Sequence, residues 1–176
     1  IKEIDGYGSQ RWTVSVDYAV KLDPGLADVG VLMEPTTVVA KAWEQIVRIG
    51  ERSWFEPKRV LVTGAGPIGL LAAMLGTQRG LDVHVLDRVT DGAKPTLARS
   101  LGATYHTDPV DTVTKRLAPD IVIEATGASS VVIDAMTNTA EYGIVCLTGV
   151  SPRGRTVQID AGGLNRGSAC QNIGQG

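Results

Sequence analysis

The chain has 176 residues, of which 43% are hydrophobic and 20% are charged, and its formal net charge at pH 7 is -2. This length allows one domain, or one domain plus part of another, with enough apolar residues to fill a core. The nearly balanced charge gives no electrostatic reason to expect a nucleic acid or an acidic membrane as a partner. No apolar run reaches the length of a membrane span, and the first residues lack the features of a signal peptide. We therefore expect a cytoplasmic protein.

The first zone of the chain, residues 1–57, mixes two kinds of pattern. Gln10–Leu22 alternates apolar and polar residues and is rich in Val, Trp and Tyr, which predicts one or two strands. Asp28–Gly50 has apolar residues spaced at three and four, which predicts helix. We expect two helical stretches with a break near Glu34–Pro35, because the residue before a proline disfavours the helical conformation.

The second zone, residues 58–150, alternates short apolar runs with helical patterns. The predicted strands are Arg59–Thr63, Asp82–Leu86, Ala103–His106, Asp120–Glu124 and Gly143–Thr148. The predicted helices between them are Pro67–Arg79, Thr90–Leu101, Val110–Leu117 and Ser129–Thr139. This alternation predicts an α/β fold, a doubly wound parallel sheet of the Rossmann type with helices on both faces.

The third zone, residues 151–176, is rich in glycine and has little apolar periodicity, which predicts an irregular tail. A six-stranded dinucleotide fold needs one more apolar strand, and Thr156–Ile159 is the only candidate for it. We therefore expect the fifth strand to lie at or near an edge of the sheet. An uncovered edge favours pairing with a second chain, so the sequence predicts a homo-oligomer.

A GxGxxG motif, Gly64–Gly69, stands between the first predicted strand and the first helix of the second zone. Gly64 permits the tight turn, Gly66 leaves room for a pyrophosphate to approach the backbone, and Gly69 allows close packing of the helix. Pro67 and Ile68 open the helix, where the free N–H groups and the helix dipole attract phosphate. The strand, turn and helix together predict a dinucleotide site, most simply for NAD or NADP.

Asp87 stands at the carboxyl end of the second predicted strand, and Arg88 follows it directly. A carboxylate at this place accepts hydrogen bonds from the adenosine ribose and repels a 2′-phosphate, which favours NAD. A guanidinium beside it pairs with a 2′-phosphate, which favours NADP. The interpretation gives a slight preference to NAD and leaves dual use open.

Two further turns follow the fourth and fifth strands. The first contains Thr126 and Gly127, and the second contains Thr148 and Gly149. Ligands of open parallel sheets bind outside the carboxyl ends of the strands, so we expect both turns to line the cofactor crevice. Ordinary turn chemistry is the alternative explanation for these residues.

The histidines and cysteines show no clustered pattern. His84 and His106 lie in predicted strands without a matching partner, so a catalytic role is not expected for either. Cys146 lies inside an apolar strand and is expected to serve packing, and Cys170 in the tail is a candidate exposed thiol. Neither cysteine belongs to a CxxC motif or a Cys/His cluster, which argues against a disulfide framework and a structural zinc site.

Four segments occur in an order typical of one enzyme family: Glu34–Pro35, Gly64–Gly69, Leu101–Ala103 and Glu124–Gly127. On these segments the chain resembles the zinc-type medium-chain dehydrogenase/reductase family, and within it the glucose 1-dehydrogenase branch. The resemblance implies that residues 1–57 are the end of a catalytic domain with crossover helices, and that residues 58–150 are the cofactor domain. It implies a truncated cofactor-binding half of an NAD(P)-dependent sugar or alcohol oxidoreductase.

The resemblance also carries expectations about metal and substrate. In sugar and polyol dehydrogenases of this family, the glutamate of an EP motif lies at or beside the catalytic zinc, and Glu34 matches it; the alternative is a carboxylate at a helix terminus. Thr36 and Thr37 would then face the nicotinamide. The cysteine and histidine zinc ligands of full-length relatives have no match here, so a sugar or polyol substrate requires a catalytic domain.

Two other functions compete with an oxidoreductase. One is a stand-alone NAD(P)-binding or sensing module without turnover, which shares the glycine motif. The other is a methyltransferase-like domain, against which the GAGPIG form of Gly64–Gly69 argues.

Overall fold

A computed structural model describes residue 8, residues 10–150 and residues 158–159 of the chain. The chain divides into two compact units, Ile1–Met33 and Glu34–Gly176. The predicted tail outside residues 158–159, including most of the candidate strand Thr156–Ile159 and Cys170, lies outside the described residues. Gln158 and Ile159 themselves belong to neither a helix nor a strand.

Single-turn 3-10 helices occur at three places in the described part of the first unit: Val16–Tyr18, Pro24–Leu26 and Gly30–Leu32. The strands predicted over Gln10–Leu22 are wrong. Val16 and Tyr18 are 81% and 85% exposed, and no described strand pairs with this segment. An alternating segment forms a strand only where a neighbour satisfies its backbone and a core covers one face, and neither condition is met here.

Apart from its first residue, the helix α1, Met33–Gly50, belongs to the second unit. The break expected near Glu34–Pro35 does not interrupt the helix, because Pro35 lies in its first turn, where a missing N–H costs no intrahelical hydrogen bond. The buried face of α1 includes Val39, Trp43 and Ile46. Trp43 Nε1 donates to the Ala72 carbonyl oxygen at 3.2 Å, which satisfies the one polar atom of this buried side chain.

In the described residues, five strands and four helices follow α1. The strands are β1 Arg59–Thr63, β2 Asp82–Leu86, β3 Thr104–His106, β4 Ile121–Glu124 and β5 Ile144–Leu147. The helices are α2 Pro67–Gln78, α3 Ala93–Ser100, α4 Val110–Leu117 and α5 Ser129–Asn138. The predicted order and type of these elements are confirmed. The largest change in bounds is the start of α3 at Ala93 instead of Thr90, because Gly92 has a left-handed φ of +82° just before it.

The strands form one parallel sheet in the order β3-β2-β1-β4-β5, which confirms the doubly wound fold class. Side chains alternate between its faces: Val60 and Val62 pack in the cluster that contains α1, α2 and α3 residues. Leu61 packs in a second cluster with Val113 of α4 and Ala135 of α5. Helices therefore cover both faces of the sheet.

The strand order reverses between β1 and β4. The chain runs outward from β1 to β2 and β3, then returns to place β4 on the other side of β1. The connections leaving the carboxyl ends of β1 and β4 therefore diverge, and a crevice opens between them. In the described sheet β5 is the end strand on the β4 side.

Candidate cofactor site

The glycine motif forms the turn from β1 into α2. Gly64 has a φ of +94°, a conformation that favours glycine, and its N–H donates to the Leu86 carbonyl oxygen at 2.7 Å. Gly66 is the extended residue just before α2, which begins at Pro67. The turn is thus tied to the end of β2, and its backbone faces the crevice beside β1.

The second and third glycines of the motif are required for different reasons. A Cβ added to Gly66 would meet no protein atom within 4 Å. A Cβ added to Gly69 would overlap the carbonyl oxygen of Gly64 and approach Val62 Cγ1 to 3.3 Å. Gly69 is therefore needed by the turn itself, whereas the open space at Gly66 is available to a ligand.

Asp87, just after β2, is fastened to the glycine turn. Its Oδ2 accepts from the Ala65 N–H at 2.7 Å and from Lys94 Nζ at 2.9 Å, and its Oδ1 accepts from the Val89 N–H at 3.1 Å. Burial alone would raise the pKa of the Asp87 carboxyl, but these hydrogen bonds and the Lys94 charge outweigh it and hold the pKa below its ordinary value. Asp87 is therefore an anionic link between the end of β2 and the turn after β1.

Lys94 is a site residue that the sequence analysis missed. It lies in the first turn of α3, seven residues after Asp87, and its side chain is 40% exposed. No local motif marks such a lysine; only the placement of α3 beside the end of β2 brings it to the carboxylate. Arg88, in contrast, is exposed and forms no hydrogen bond or ion pair with another described residue.

A cleft of about 710 Å³ lies at the carboxyl ends of β1 to β4. It is bounded by the segments that follow these four strands. Among the sequence-predicted cofactor residues, its walls include Gly64, Gly66, Asp87, Arg88 and Thr126. The remaining six do not line it: Pro67, Ile68 and Gly69 lie in α2, and Gly127, Thr148 and Gly149 lie in the turns after β4 and β5.

Glu124, the last residue of β4, accepts hydrogen bonds from the turns after β4 and β5. Its side chain is fully buried, and it accepts from the N–H of Thr126 at 2.7 Å and of Gly127 at 3.1 Å. The Thr126 hydroxyl also donates to it. The main-chain oxygen of Glu124 accepts from the Thr148 hydroxyl at 2.8 Å and from the Gly149 N–H at 2.9 Å. The polar groups of the two turns therefore serve first to shape the crevice.

Gly149 closes this arrangement. A Cβ on Gly149 would overlap the Gly127 nitrogen and lie 2.6 Å from Glu124 Oε2. The two turns named as crevice residues thus contact each other through a position where only glycine fits. The sequence motif Glu124–Gly127 indicated the turn but not the clamping role of the glutamate.

Glu34 lies exposed in the first turn of α1, where a carboxylate also suits the helix dipole. The Thr37 hydroxyl donates to the Glu34 carbonyl oxygen at 2.7 Å. A protein zinc site takes three or four ligands, and within the described ranges no three His, Cys, Asp or Glu side chains are grouped to hold a metal. The described residues therefore do not form a zinc site by themselves, and a zinc role for Glu34 stays a prediction.

The prediction that His84 and His106 have no partner is wrong. His84 Nδ1 lies 2.8 Å from His106 Nε2, because β2 and β3 are neighbours in the sheet. Burial, with the charges of His84 and Arg116, lowers the pKa of His106 against the opposing effect of Asp108. Cys146 is buried in the core, as predicted, and burial raises the pKa of its thiol to about 11.

The parallel sheet, the glycine turn and the acid at the end of β2 define the class of the protein: a Rossmann domain of the dinucleotide-binding type. Within the described residues, no helix has the length and apolar character that crossing a membrane requires. The chain belongs to the glucose dehydrogenase C-terminus family, which matches residues 27–174. The predicted resemblance to the glucose 1-dehydrogenase branch is thereby confirmed.

Individual relatives agree with this assignment. Glucose 1-dehydrogenase of Methanocella arvoryzae is 36% identical over 98% of this chain, which spans 49% of that protein. The crystal structure of glucose dehydrogenase from Haloferax mediterranei has a TM-score of 0.84 at 27% identity, over 95% of this chain and 50% of its own.

A second structure of the Haloferax enzyme is described as a complex with NADP, Zn and gluconolactone. It has a TM-score of 0.77 at 26% identity, covering 87% of this chain and 46% of its own. The chain thus spans about half the length of the relatives it matches.

Proposed function

We propose that this chain binds NADP and NAD in the cleft at the carboxyl ends of β1 to β4, as the cofactor-binding half of a glucose dehydrogenase or a related sugar dehydrogenase. The observation that carries the proposal is the open space at Gly66 beside a glycine turn held by Asp87. Backbone N–H groups at the start of α2 attract a pyrophosphate, and the missing side chain lets it approach.

The proposal includes both cofactors because an acidic residue, Asp87, and a basic residue, Arg88, both line the cleft where the adenosine ribose would bind. The Val89 N–H occupies one lone pair of Asp87 Oδ1 and leaves the other unused. The carboxylate can therefore still accept a hydrogen bond from a ribose hydroxyl, as NAD requires. Arg88 at the same cleft wall supplies a cation for a 2′-phosphate, as NADP requires. The NADP complex of the Haloferax relative supports a dinucleotide at this fold.

The proposed reaction of the whole enzyme is hydride transfer from a sugar carbon to the nicotinamide. The protein's part would be to position the cofactor, and a bound zinc would polarise the sugar hydroxyl. Because the described residues hold no metal-binding group of side chains, we expect this chain alone to bind cofactor with little turnover.

The binding proposal is tested by titrating NADPH and NADH into the chain, with fluorescence or calorimetry as the readout. Gly66→Ala is the informative variant. The added methyl group meets no protein atom, but it would occupy the space that a bound pyrophosphate needs. Gly8→Ala is the matched control, because a Cβ there also meets no atom within 4 Å. We expect Gly66→Ala to fold normally and lose at least about tenfold in affinity for both cofactors. Unchanged affinity in that variant would contradict the proposed site.

The activity proposal is tested separately. NADP-linked oxidation of glucose and other aldoses is measured at saturating cofactor, with and without added zinc. Little turnover together with clear cofactor binding is the expected result. Robust zinc-dependent turnover by this chain would show that its own residues complete a catalytic site.

A further inference from the structure

The acidic residue at the ribose position does not present a free negative charge to the cleft. Asp87 Oδ2 uses both of its lone pairs, on the Ala65 N–H and on Lys94 Nζ. Oδ1 accepts from the Val89 N–H, and the Val89 carbonyl accepts from the Tyr105 hydroxyl at 2.8 Å. The loop that carries Arg88 is thus held on both sides, and the carboxylate beside it is neutralised by one lysine.

The charges on this side of the cleft are nearly all paired. Asp87 pairs with Lys94 at 2.9 Å, and Asp108 pairs with Arg116 at 3.2 Å. Arg88 is the charged wall residue that has no ion-pair partner among the described residues. A cofactor that brings a 2′-phosphate therefore meets a wall whose two carboxylates are already compensated.

Lys94 also has capacity to bind an anion of its own. An ammonium has three donors, and the hydrogen bond to Asp87 uses one. The side chain lines the cleft, is 40% exposed, and sits on a flexible four-carbon stem. Its Nζ can therefore bridge from Asp87 to a phosphate placed beside the same ribose without breaking the first contact.

We infer that Lys94 is the specificity-determining residue that makes this site accept NADP as well as NAD. With NAD, Lys94 stays on Asp87, and the remaining Oδ1 lone pair accepts a ribose hydroxyl. With NADP, the Lys94 ammonium bridges Asp87 and the 2′-phosphate, and Arg88 supplies the second cation. This inference rests on the proposed cofactor-binding function of the cleft.

Removal of the lysine penalises NADP for two reasons. The 2′-phosphate loses one charge-assisted contact, and it then faces an uncompensated carboxylate of like charge. NAD carries no phosphate at this position, so it loses neither. The lysine, more than the exposed arginine alone, decides whether Asp87 repels NADP.

The test titrates NADP and NAD into the whole chain by calorimetry, for the native sequence and for Lys94→Met, which keeps the stem and removes the charge. We expect Lys94→Met to weaken NADP about tenfold or more and to leave NAD unchanged or slightly tighter. Lys94→Arg should restore most of the NADP affinity. Lys41→Met, on the exposed side of α1 and outside the cleft wall, is the matched control and should change neither affinity.

The outcomes separate this inference from the proposed function. If the native chain binds neither cofactor, the proposed function fails and Lys94 has no role to assign. If both cofactors bind and Lys94→Met weakens them equally or not at all, the cofactor site stands and the specificity role of Lys94 is overturned. Raising the salt concentration should narrow the difference in NADP affinity between the native chain and Lys94→Met, because the interaction that the variant loses is between charges.

Discussion

His84 Nδ1 and His106 Nε2 lie 2.8 Å apart across neighbouring strands, in a chain of hydrogen bonds whose direction is determined at its two ends. Arg116 donates to His106 Nδ1 at 3.2 Å, so His106 carries its proton on Nε2 and donates to His84. His84 then carries its own proton on Nε2 and donates to Asp82 Oδ2 at 3.2 Å. In this arrangement each ring accepts through Nδ1 and donates through Nε2, so a proton added to His106 Nδ1 removes the acceptor that Arg116 uses.

The hydrogen bonds of His106 predict that the folded protein loses stability in mild acid. The pKa of His106 is lowered in the folded protein by burial and by the charges of His84 and Arg116. As pH falls below about 6.5, the unfolded chain takes up a proton first, so the free energy of unfolding decreases until pH reaches the lower folded pKa. Urea unfolding from pH 7.5 to 5 should show this decline, and His106→Gln should flatten it. The same slope in both proteins would contradict the prediction.

Gly69→Ala is expected to destabilise the fold, unlike Gly66→Ala. Its methyl group would overlap the Gly64 carbonyl oxygen inside the turn. Overpacking of this kind costs about 1–3 kcal/mol of unfolding free energy. Thermal and urea unfolding of the two variants should separate them, with Gly66→Ala close to the native chain. Equal stability of both variants would show that the turn relaxes to accept the Gly69 methyl group.

Asp87→Ala should weaken NAD more than NADP. Both cofactors lose the turn geometry that the Ala65 contact holds, and NAD also loses a ribose acceptor. For NADP, part of the lost affinity is offset, because removal of the carboxylate frees Lys94 to bind the 2′-phosphate. We expect a loss of about tenfold or more for NAD and a smaller one for NADP. Arg88→Ala, on the same loop, should weaken NADP preferentially; equal losses for both cofactors in both variants would show that this loop does not distinguish the ribose.

Glu124→Gln should lower stability although it conserves shape. The buried carboxylate accepts only, and an amide places its NH2 group against the N–H groups of Thr126 or Gly127. Unsatisfied buried donors cost about 1–3 kcal/mol each. Glu141→Gln, at an exposed position, is the matched control and should stay within about 0.5 kcal/mol of the native chain. Chemical unfolding of both variants decides the point.

The homo-oligomer expected from the sequence stays a prediction. β5 is the end strand of the described sheet, and Ile144–Leu147 is apolar and uncharged. Such an edge favours pairing with a second chain. Size exclusion with light scattering should show a dimer, and hydrogen exchange over Gly143–Thr148 should slow as concentration rises. A monodisperse monomer with concentration-independent protection would contradict it.

Much of the second unit follows from local sequence pattern. Buried parallel strands appear as short apolar runs, and helices as apolar residues at three and four, so Arg59–Thr63 and Val110–Leu117 are predicted residue for residue. The glycine turn is equally local, because a positive φ at Gly64 is a property of a single residue type. The same reasoning fails at Gln10–Leu22, since a strand also needs a neighbour that the alternation does not reveal.

The contacts that give the site its chemistry depend on tertiary structure. His84 meets His106, 22 residues later, only because β2 and β3 pair in this register. Lys94 reaches Asp87 only because α3 starts beside the end of β2, and Glu124 meets Thr148, 24 residues on, only because β4 and β5 are neighbours. The sequence by itself determined which segments of residues 58–150 become strands, turns and helices and where the proposed dinucleotide site lies, because those depend on neighbours along the chain. Strand order and helix placement decided which hydrogen bonds hold that site together, and with them its proposed cofactor preference. They did so because they bring side chains that are distant in sequence within hydrogen-bonding distance.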